Sequence, residues 1–452
     1  MTRSGSVPAH ASTAADLERL STYPHVVVSW IDDSGYPISV ATGFETAPNA
    51  GTISLVEPAG PAIPNDRELS VMASHIRPQP GVGYDERRYL QLWGRAAAGT
   101  FTPTRAWGWD EKEVPFFEYS ERSVPQSRRY LAQLSEEKGR PIRPRLSPFW
   151  LALRTTRLPF LSATAVPVLL GIAVAASHGA FTWWTALLTI IGGSFAHLAI
   201  NVSNDVFDTL SGADDANTTP TQFSGGSRVA VYDLVTIRGL ARLSVALFGA
   251  AAAIGLLLVA VTGSMLLLWI GVAGILIGVA YTAPPLKLVY RGLGEFAVAI
   301  GFGPVMLLGA YVVQIGRITL EPLLLSFVPG ILIALILFVN EIPDRRSDAE
   351  AGKRTLPTRF SPETIRTAYL AAAIAAFAVI VAGVIGGVLP WPTLIALAAV
   401  PIVFRVHAGL KVHYDSPYTL MAVMGTNVNL NLIVGGLLLA AYVATIVVAH
   451  LT

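Results

Sequence analysis

Beyond Arg145 the chain consists largely of apolar stretches, each close to the length that crosses a lipid bilayer. A transmembrane α-helix needs about 20 predominantly apolar residues, and nine stretches near this length succeed one another. Their cores are Leu158–Ala176, Phe181–Ile200, Leu240–Val261, Met265–Tyr281, Phe296–Val313, Leu323–Val339, Ile365–Val388, Trp391–Phe404 and Leu430–Val448. The eighth is the shortest and contains Pro401. The pattern predicts an all-α transmembrane bundle of about nine helices.

The composition agrees with a membrane protein. Of the 452 residues, 52% are hydrophobic and 14% are charged, whereas a soluble globular domain carries about 25% charged residues. The 32 Lys and Arg nearly balance the 30 Asp and Glu, which argues against nucleic acid as a partner. The chain has no Cys, so a disulfide scaffold, a thiolate metal site and a cysteine nucleophile are excluded.

The basic residues of the connections fall almost entirely on one side of the predicted membrane. They are Arg140, Arg143, Arg145, Arg154 and Arg157 before the first span, Arg228, Arg238 and Arg242 before the third, Lys287 and Arg291 before the fifth, Arg345, Arg346, Lys353, Arg354 and Arg359 before the seventh, and Arg405 and Lys411 before the ninth. The alternate connections carry only Arg317. By the positive-inside rule, we expect an integral protein of the inner (plasma) membrane with its amino terminus in the cytoplasm and its carboxyl terminus outside.

Residues 1–138 read as a soluble domain of a different kind. Short runs rich in Val, Ile, Trp and Tyr alternate with turn residues, which is typical of β-strands. The predicted strands are His25–Ile31, Pro37–Phe44, Thr52–Val56, Leu69–Ile76 and Tyr89–Phe101, and a polar helix is predicted over Ser127–Lys138. The sequence therefore predicts a small β-barrel domain, a basic Pro-rich linker at 139–150 that lies near anionic headgroups, and a membrane domain at 151–452.

A first acidic cluster ends the second span. Asn201, Asn204, Asp205 and Asp208 are spaced i, i+3, i+4 and i+7, so they share one face of a helix, and Asp214 follows closely. Carboxylates at membrane depth are costly and require a partner or a cavity. Oxygen ligands select a hard cation, and Mg²⁺ is typically bound by one or two carboxylates together with substrate phosphates.

A second acidic cluster ends the sixth span. It contains Asn340, Glu341, Asp344 and Asp348, and Lys353 follows it. Both clusters end even-numbered spans, so they emerge on the same membrane face. This geometry suits a diphosphate that is held between two metal ions, one at each cluster. The alternative reading is that these are polar helix ends solvated at the membrane surface.

Cations for phosphate oxygens are available on the same face. Arg228 ends the Gly-rich stretch Phe223–Arg228, and Lys287 and Arg291 flank Tyr290. Each of these cations can equally be a charge that only sets the topology. We expect substrate contacts from Asn201, Arg157, Arg228, Tyr281, Lys287, Arg291, Asn340 and Lys353.

The two aspartate motifs, Asn204–Asp208 with Asp214 and Asp344–Asp348, resemble those of the intramembrane prenyltransferases of the UbiA superfamily. Within it, the chain is similar to the 1,4-dihydroxy-2-naphthoate prenyltransferases of menaquinone synthesis. The further shared stretches are Leu158-Pro159, Pro167–Gly171, Phe223–Arg228, Tyr281–Pro285, Tyr290–Glu295, Gly303-Pro304 and Gly352–Leu356. The resemblance covers about residues 150–450. Glu341–Pro343 depart from it, because the family pattern has a second Asn and an Arg there.

The resemblance implies a nine-helix fold and Mg²⁺-dependent transfer of a polyprenyl group from its diphosphate to an aromatic acceptor. The implied catalytic residues are Asp205, Asp208, Asp344 and Asp348, and the implied metal ligands are these four with Asn204 and Asp214. The metal acts on the leaving diphosphate, aromatic side chains stabilise the allylic cation, and the ring of the acceptor attacks it.

The amino-terminal domain is similar in two short stretches to flavin-binding split barrels of the pyridoxamine 5′-phosphate oxidase type. These stretches are Gly35–Pro37 and Leu90–Ala96, and Ser74–Arg77 with Arg87-Arg88 are either contacts for a flavin phosphate or solvated charges. The resemblance implies FMN or a deazaflavin as a cofactor. A docking or regulatory domain without a ligand is the alternative.

Three other functions compete with the main interpretation. The first is prenyl transfer to another acceptor: a different aromatic ring, a haem, a sugar phosphate or glycerol phosphate. The second is an ion-coupled transporter, although such proteins place their charges at broken helices near the midplane. The third is a flavin-dependent reductase with a membrane anchor, for which nine spans are far more than an anchor needs.

Overall fold

The structure is a computed structural model that describes residues 10–79, 83–114, 116–217, 220–221 and 223–451. The chain divides into two compact units, Met1–Arg140 and Pro141–Thr452.

The amino-terminal unit is built on one curled antiparallel sheet, a half-barrel. Its eight strands within the described residues are β1 (His10–Ala11), β2 (Val26–Ile31), β3 (Pro37–Thr42), β4 (Phe44–Ala47), β5 (Thr52–Leu55), β6 (Leu69–Gln79), β7 (Gly83–Ala97) and β8 (Thr100–Asp110), and its helices are α1 (Ala14–Leu20) and α2 (Phe116–Lys138). The strand order is β3-β2-β6-β7-β8-β5-β4, and β1 pairs with β8. The consecutive strands β3 and β4 therefore lie at the two ends of the sheet.

One face of this sheet holds the core of the unit. In β2, Val26, Val28 and Trp30 are buried and alternate with less buried residues, as the period of two in a strand requires. Leu17 and Leu20 of α1 pack into the same core. A capping box fixes the start of α1, in which the side chain of Thr13 and that of Asp16 each accept a backbone N–H.

The predicted β-domain is confirmed as a half-barrel, with three corrections to its elements. The single strand predicted over Tyr89–Phe101 is wrong, because Ala98 and Gly99 both have positive φ and form a two-residue hairpin between β7 and β8. The strand predicted over Pro37–Phe44 ends at Thr42, and Phe44 begins β4. The polar helix begins at Phe116 rather than Ser127.

The second unit is a bundle of apolar helices. Its helices are α3 (Pro148–Thr156), α4 (Ser162–Ser177), α5 (Trp183–Ser211), α6 (Ala213–Ala216), α7 (Ile237–Thr262), α8 (Met265–Thr282), α9 (Gly294–Ile300), α10 (Gly309–Ile315), α11 (Leu320–Glu350), α12 (Leu356–Arg359), α13 (Pro362–Ile385), α14 (Val400–His413) and α15 (Pro417–Leu451). A π-helical segment, Gly301–Leu308, joins α9 to α10, and a 3₁₀ segment, Trp391–Ala399, leads into α14.

Eight helices in the described part of the chain are long and apolar enough to cross a membrane. They are α5, α7, α8, the continuous segment Gly294–Ile315, α11, α13, the segment Trp391–His413, and α15. Helix α4 is apolar but shorter, with 16 residues, and follows a 3₁₀ turn at Leu158–Leu161. The predicted class, an apolar helical membrane bundle, is confirmed.

Helix α11 lies at the centre of the bundle. Of its most apolar 18-residue window, 67% is buried within the protein, against 6% for α7. Close packing against the π-helical segment places it there: a Cβ added to Gly303 would lie 2.6 Å from the carbonyl oxygen of Ser326 and 2.9 Å from the Cα of Gly330. The second acidic cluster lies at the carboxyl end of this central helix.

Candidate functional site

Asp208 lies near the end of α5 and forms part of one wall of the site. Helix α5 stops at Gly212, which takes the left-handed conformation that ends helices. The buried Asp208 carboxylate accepts hydrogen bonds from the hydroxyl of Tyr290 at 2.7 Å, the Asn204 Nδ2 at 2.9 Å and the Lys353 Nζ at 3.2 Å. Three donors to one carboxylate hold it in a fixed orientation.

Lys353 connects the two acidic clusters. Its ammonium lies 3.2 Å from Asp208 and 3.7 Å from Asp348, at the end of α11. Gly352 has a φ of +74°, and this left-handed turn lets the Lys353 amide donate back to the carbonyl of Asp348 at 2.8 Å. Burial by itself would lower the pKa of Lys353, but the adjacent Asp208 and Asp348 raise it well above its ordinary value. Lys353 is therefore a buried cation held by one carboxylate from each cluster.

The Gly-rich loop at 223–228 is held by the carboxylates around it. Asp344 accepts hydrogen bonds from the Gly225 amide and from Asn217 Nδ2, both at 2.8 Å. Asp205 accepts one from the Ser227 amide at 3.2 Å. Gly225 and Gly226 both have positive φ, the conformation that glycine adopts without steric cost. Backbone N–H groups of this loop thus point at the acidic residues of both helices.

Asp214, on the short helix α6, adds a further buried carboxylate. It accepts a hydrogen bond from the Thr209 hydroxyl at 3.2 Å, and its backbone carbonyl accepts one from Arg228 Nη1 at 2.6 Å. Burial, followed by the negative charges of Asp208 and Asp205, raises the pKa of Asp214 well above its ordinary value. A bound cation would relieve this repulsion.

These groups surround a polar cavity of about 170 Å³. Ten of the predicted site residues line it: Arg157, Asn201, Asn204, Asp208, Asp214, Tyr281, Asn340, Asp344, Asp348 and Lys353. They come from α5, α6, α8, α11 and the connections next to them. The structure therefore brings both aspartate clusters to one cavity.

Four other predicted residues lie outside the lining of this cavity: Asp205, Arg228, Lys287 and Arg291. Asp205 accepts a hydrogen bond from the Ser227 amide, and Arg228 donates one to the backbone carbonyl of Asp214. Lys287 lies 5.2 Å from the centre of the Tyr290 ring. Arg291 is exposed and donates to the Pro285 carbonyl at 2.9 Å. The substrate contacts predicted for Arg228, Lys287 and Arg291, and the metal contact predicted for Asp205, stay predictions.

Sequence reasoning missed two residues of the site. Asn217 orients Asp344, and Tyr290 orients Asp208. No spacing rule identifies Asn217, which follows α6. Tyr290 begins the stretch Tyr290–Glu295, which is shared with the family, and this resemblance could have identified Tyr290 as a site residue.

His197 also contributes to the wall. Its Nδ1 lies 2.8 Å from the Thr164 hydroxyl, and its ring packs edge-on against Phe302 at 4.8 Å. The side chain is buried between helices, which is typical of a histidine with a structural role in the bundle.

A larger apolar cavity of about 330 Å³ adjoins the polar one. It lies between α5, α7, α8 and the π-helical segment, and its lining is almost entirely aliphatic. The two cavities share Ile200, Tyr281, Val298 and Phe302 as lining residues. Together they suit an amphiphile with an anionic head and a long apolar tail.

The donor set around the polar cavity fits a hard divalent cation. The available ligands are carboxylate and amide oxygens, which Mg²⁺ prefers. Within the parts of the chain that the structure describes, no three carboxylate or imidazole groups lie close enough together to hold one ion. Since Mg²⁺ usually completes its shell with water and substrate phosphate, the arrangement fits an ion that shares its ligands with a diphosphate.

Comparison with known proteins identifies the family. A sequence profile of the UbiA prenyltransferase family matches residues 164–433, more than half of the chain. The chain belongs to the UbiA prenyltransferase family. It is therefore an enzyme of the prenyltransferase class, and the matched region contains both acidic clusters.

Curated relatives of this prenyltransferase include transferases whose names specify a naphthoquinone or a naphthoate. The 2-carboxy-1,4-naphthoquinone phytyltransferase of Synechocystis is 29% identical over 319 residues, which is 67% of this chain and 96% of the relative. The 1,4-dihydroxy-2-naphthoate octaprenyltransferase of Mycobacterium tuberculosis is 33% identical over 245 residues, or 53% of this chain and 78% of the relative. The enzyme of the same name from Bacillus subtilis is 28% identical, over 63% of this chain and 89% of its own.

Solved structures similar to this prenyltransferase are UbiA homologues of archaea. The apo homologue from Aeropyrum pernix is 19% identical with a TM-score of 0.47, covering 64% of this chain and 98% of its own. The homologue from Archaeoglobus fulgidus bound to DMAPP and Mg²⁺ is 16% identical with a TM-score of 0.46, covering 66% and 99%.

The Gly-rich loop gives a first testable prediction. A Cβ on Gly226 would lie 3.0 Å from Asp205 Oδ1 and 3.1 Å from Asp214 Oδ1, whereas a Cβ on Gly212 would meet nothing within 4 Å, although φ is positive at both glycines. We expect Gly226→Ala and Gly212→Ala each to cost about 1 kcal/mol of stability from left-handed strain. Only Gly226→Ala should also lower prenyl transfer, by about tenfold, since it displaces the carboxylates.

Thermal unfolding in detergent and initial rates of prenyl transfer measure the two effects. Equal rates in the two variants would show that the carboxylates beside Gly226 do not position the reaction.

Proposed function

We propose that this prenyltransferase transfers a polyprenyl group from its diphosphate to an aromatic acceptor, 1,4-dihydroxy-2-naphthoate, in menaquinone synthesis. One observation carries the proposal: a polar cavity walled by two acidic clusters and Lys353 opens onto an aliphatic cavity. The first holds a diphosphate and a ring, and the second holds an isoprenoid tail. The names of the relatives from Mycobacterium tuberculosis and Bacillus subtilis support the choice of acceptor.

Asp208, Asp344 and Asp348, with Asn204 and Asp214, are the residues that would hold Mg²⁺ at the polar cavity. When bound, Mg²⁺ acts as a Lewis acid on the diphosphate and stabilises the negative charge that develops on it. Asp205 contributes indirectly in this proposal, by holding the Ser227 amide and thus the Gly-rich loop.

Two cations of the chain face the same cavity and bind phosphate oxygens. Lys353 lies between the clusters, and Arg157 is held by the Phe223 carbonyl at 3.3 Å. The fixed donors need no reorganisation as the carbon–oxygen bond breaks, which is the property that makes electrostatic stabilisation effective.

The remaining wall protects the allylic carbon. Phe160, Phe302 and Tyr281 line the polar cavity, and their ring faces attract a cation. Because the adjoining cavity is aliphatic, the isoprenoid tail excludes water from the cation, so that the acceptor ring rather than water attacks it.

A second candidate is transfer to a different acceptor. Glu341 lines the polar cavity where the family pattern has Asn, so the surroundings of the acceptor differ from that pattern. The donor chemistry is the same in both candidates, because it depends on the acidic clusters.

The deciding experiment supplies the purified full chain with Mg²⁺, geranylgeranyl diphosphate and a panel of acceptors. The panel holds 1,4-dihydroxy-2-naphthoate, 4-hydroxybenzoate, haem b and glycerol phosphate, and mass spectrometry detects the products. We expect a prenylated naphthalene product, and its loss on addition of EDTA. Prenylation of another acceptor alone would replace the first candidate by the second, and no product from any acceptor would contradict both.

Replacement of Lys353 provides a second prediction. Lys353→Met keeps the length of the side chain and removes the cation that lies between Asp208 and Asp348. We expect kcat/KM for geranylgeranyl diphosphate to fall about 100-fold, as for loss of one charge-stabilising donor. The exposed Lys411→Met is the matched control and should leave kcat/KM unchanged. Wild-type kcat/KM in Lys353→Met would remove Lys353 from the diphosphate site.

The membrane and the orientation belong to the same proposal: an inner (plasma) membrane, with the amino-terminal unit and the active site on the cytoplasmic side. The concentration of Lys and Arg in alternate connections supports it. Labelling of single cysteines introduced at Arg317 and Lys411 in intact cells tests it, because the chain has no native Cys. Only the cysteine at position 317 should react with an impermeant reagent.

Flavin binding by the amino-terminal unit stays a prediction. Two of the predicted phosphate contacts are paired with carboxylates: His75 lies 3.4 Å from Glu86, and the Arg87 Nε donates to Glu111 at 3.0 Å. Arg88 packs over the Tyr23 ring at 4.8 Å. Titration of the full chain with FMN tests the prediction, and unchanged flavin fluorescence would contradict it.

A further inference from the structure

A buried glutamate that the proposed reaction does not yet use lines the polar cavity, and a second buried glutamate lies next to it. Glu341, on α11, is 5% exposed and lines the cavity, and Glu295, on α9, is 7% exposed. Helices α9 and α11 pack against each other, and the two carboxyl groups are neighbours in this packing. Counting partners among the other described residues, Glu341 Oε1 and Oε2 and Glu295 Oε1 accept no hydrogen bond.

Such a pair cannot consist of two stable carboxylates. Two ionised carboxylates only accept hydrogen bonds, and like charges in contact within a buried site repel strongly. One proton shared between them turns the repulsion into a hydrogen bond, as in other carboxyl dyads. The pair then carries one negative charge, and Glu341, which lines the cavity, keeps a free oxygen.

The pair differs from the aspartates that surround the diphosphate. Lys353 makes its ion pairs with Asp208 and Asp348, and the Gly-rich loop donates to Asp344 and Asp205. Among the described residues, neither a cation nor a backbone amide donates a hydrogen bond to Glu341. Its unsatisfied oxygens inside a ligand cavity need a hydrogen-bond donor that the substrate brings, because a buried polar group without a partner costs about 1–3 kcal/mol.

We propose that Glu341 accepts the proton of the ring hydroxyl of the prenyl acceptor, and that Glu295 is a positioning residue that holds Glu341 through their shared proton. This inference rests on the proposed function, since it assumes an acceptor with a phenolic hydroxyl. The prenyl diphosphate has no phenolic hydroxyl, so the proposed role of Glu341 concerns the acceptor and not the prenyl donor.

The bond between prenyl C1 and the diphosphate oxygen breaks, and its electron pair leaves with the diphosphate. The acceptor O–H bond breaks, its proton passes to Glu341, and the oxygen becomes a carbonyl as the ring carbon beside it forms a bond to C1. That carbon then loses its former substituent, as a proton to water or as carbon dioxide, and the electron pair of the broken bond makes the ring aromatic again. The carbonyl oxygen takes the proton back from Glu341 and becomes a hydroxyl, so the carboxylate is regenerated.

The test compares Glu341→Gln with the wild-type full chain, using geranylgeranyl diphosphate and 1,4-dihydroxy-2-naphthoate. General-base catalysis contributes about 10²–10⁴-fold, so we expect kcat for transfer to fall about 100-fold or more. The KM for geranylgeranyl diphosphate and the slow release of diphosphate without acceptor should stay at wild-type levels. Glu341→Asp should recover part of kcat, and the exposed Glu363→Gln is the matched control.

Two further arms separate a proton acceptor from a merely structural residue. With a methyl ether of the acceptor, which has no proton at the methylated oxygen, wild type and Glu341→Gln should react at the same reduced rate. Glu295→Gln should lower kcat less than Glu341→Gln, and the double variant should be no slower than Glu341→Gln alone, because Glu295 acts through Glu341.

Several results would overturn the inference. The first is a wild-type kcat in Glu341→Gln. The second is that Glu341→Gln slows the reaction of the methyl ether as much as that of the free acceptor. The third is that Glu341→Gln loses acceptor-independent diphosphate release, which would place Glu341 with the diphosphate. If the wild type prenylates no acceptor, the proposed function fails separately. Binding of 1,4-dihydroxy-2-naphthoate in the presence of diphosphate, followed by tryptophan fluorescence, then decides: about tenfold weaker binding to Glu341→Gln supports the contact, and equal binding contradicts it.

Discussion

Replacement of Asp208 by Asn is expected to remove most of the prenyl transfer activity while the protein stays folded. The amide in Asp208→Asn keeps the shape of the side chain and an oxygen for the Tyr290 hydroxyl, but the substitution removes the charge that faces Lys353 at 3.2 Å. Mg²⁺ and diphosphate would lose one of their few charged partners. We expect kcat to fall about 10³-fold, equivalent to about 4 kcal/mol of transition-state stabilisation.

The measurement is release of diphosphate with and without acceptor, together with gel filtration in detergent to check folding. Asp215→Asn is the matched control, because Asp215 is exposed on the same short helix as Asp214 and should keep wild-type turnover. An Asp208→Asn enzyme that releases diphosphate at the wild-type rate would exclude Asp208 from the reaction.

The second large effect is expected on folding rather than on chemistry. Gly303→Val places a branched side chain where a Cβ alone would lie 2.6 Å from the carbonyl oxygen of Ser326. Backbone atoms of α11 and the π-helical segment would have to separate, and overpacking at such a contact costs about 3 kcal/mol or more. Because α11 carries Asp344 and Asp348, activity should fall with stability.

Thermal unfolding of the purified variants in detergent measures this effect. Gly301→Val is the matched control on the same segment, since a Cβ at Gly301 meets nothing within 4 Å, and we expect its unfolding temperature to stay near that of the wild type. Equal unfolding temperatures in the two variants would contradict the packing described between Gly303 and Gly330.

The lengths of the apolar stretches predicted the helical architecture well, because they depend on short-range sequence. The predicted second span, Phe181–Ile200, largely coincides with the first part of α5, and the sixth, Leu323–Val339, falls within α11. Bilayer thickness sets these lengths regardless of tertiary packing. Topology alone predicted only that both clusters emerge on the same membrane face. Their meeting at one cavity is a finding of the structure, in which Lys353 contacts Asp208 and Asp348.

The orientation of individual side chains could not be predicted in this way. Asp205 and Asp208 are separated by three positions on one helix, yet only Asp208 of the two lines the cavity. The Ser227 amide decides the orientation of Asp205, and its position depends on a loop more than twenty residues away. In the amino-terminal unit, the hairpin at Ala98-Gly99 was missed because Ala98 is a rare residue for the left-handed conformation that it takes there.

The most direct test of the central claim is an experimental structure with Mn²⁺ and geranylgeranyl thiodiphosphate. We predict anomalous density for Mn²⁺ at about 2.0–2.2 Å from a carboxylate oxygen of α5 or α11, as in other sites for small hard cations, with the diphosphate between the two helices and the isoprenoid tail in the aliphatic cavity. Density for metal and diphosphate elsewhere in the protein, or acidic clusters that face opposite leaflets, would contradict the account.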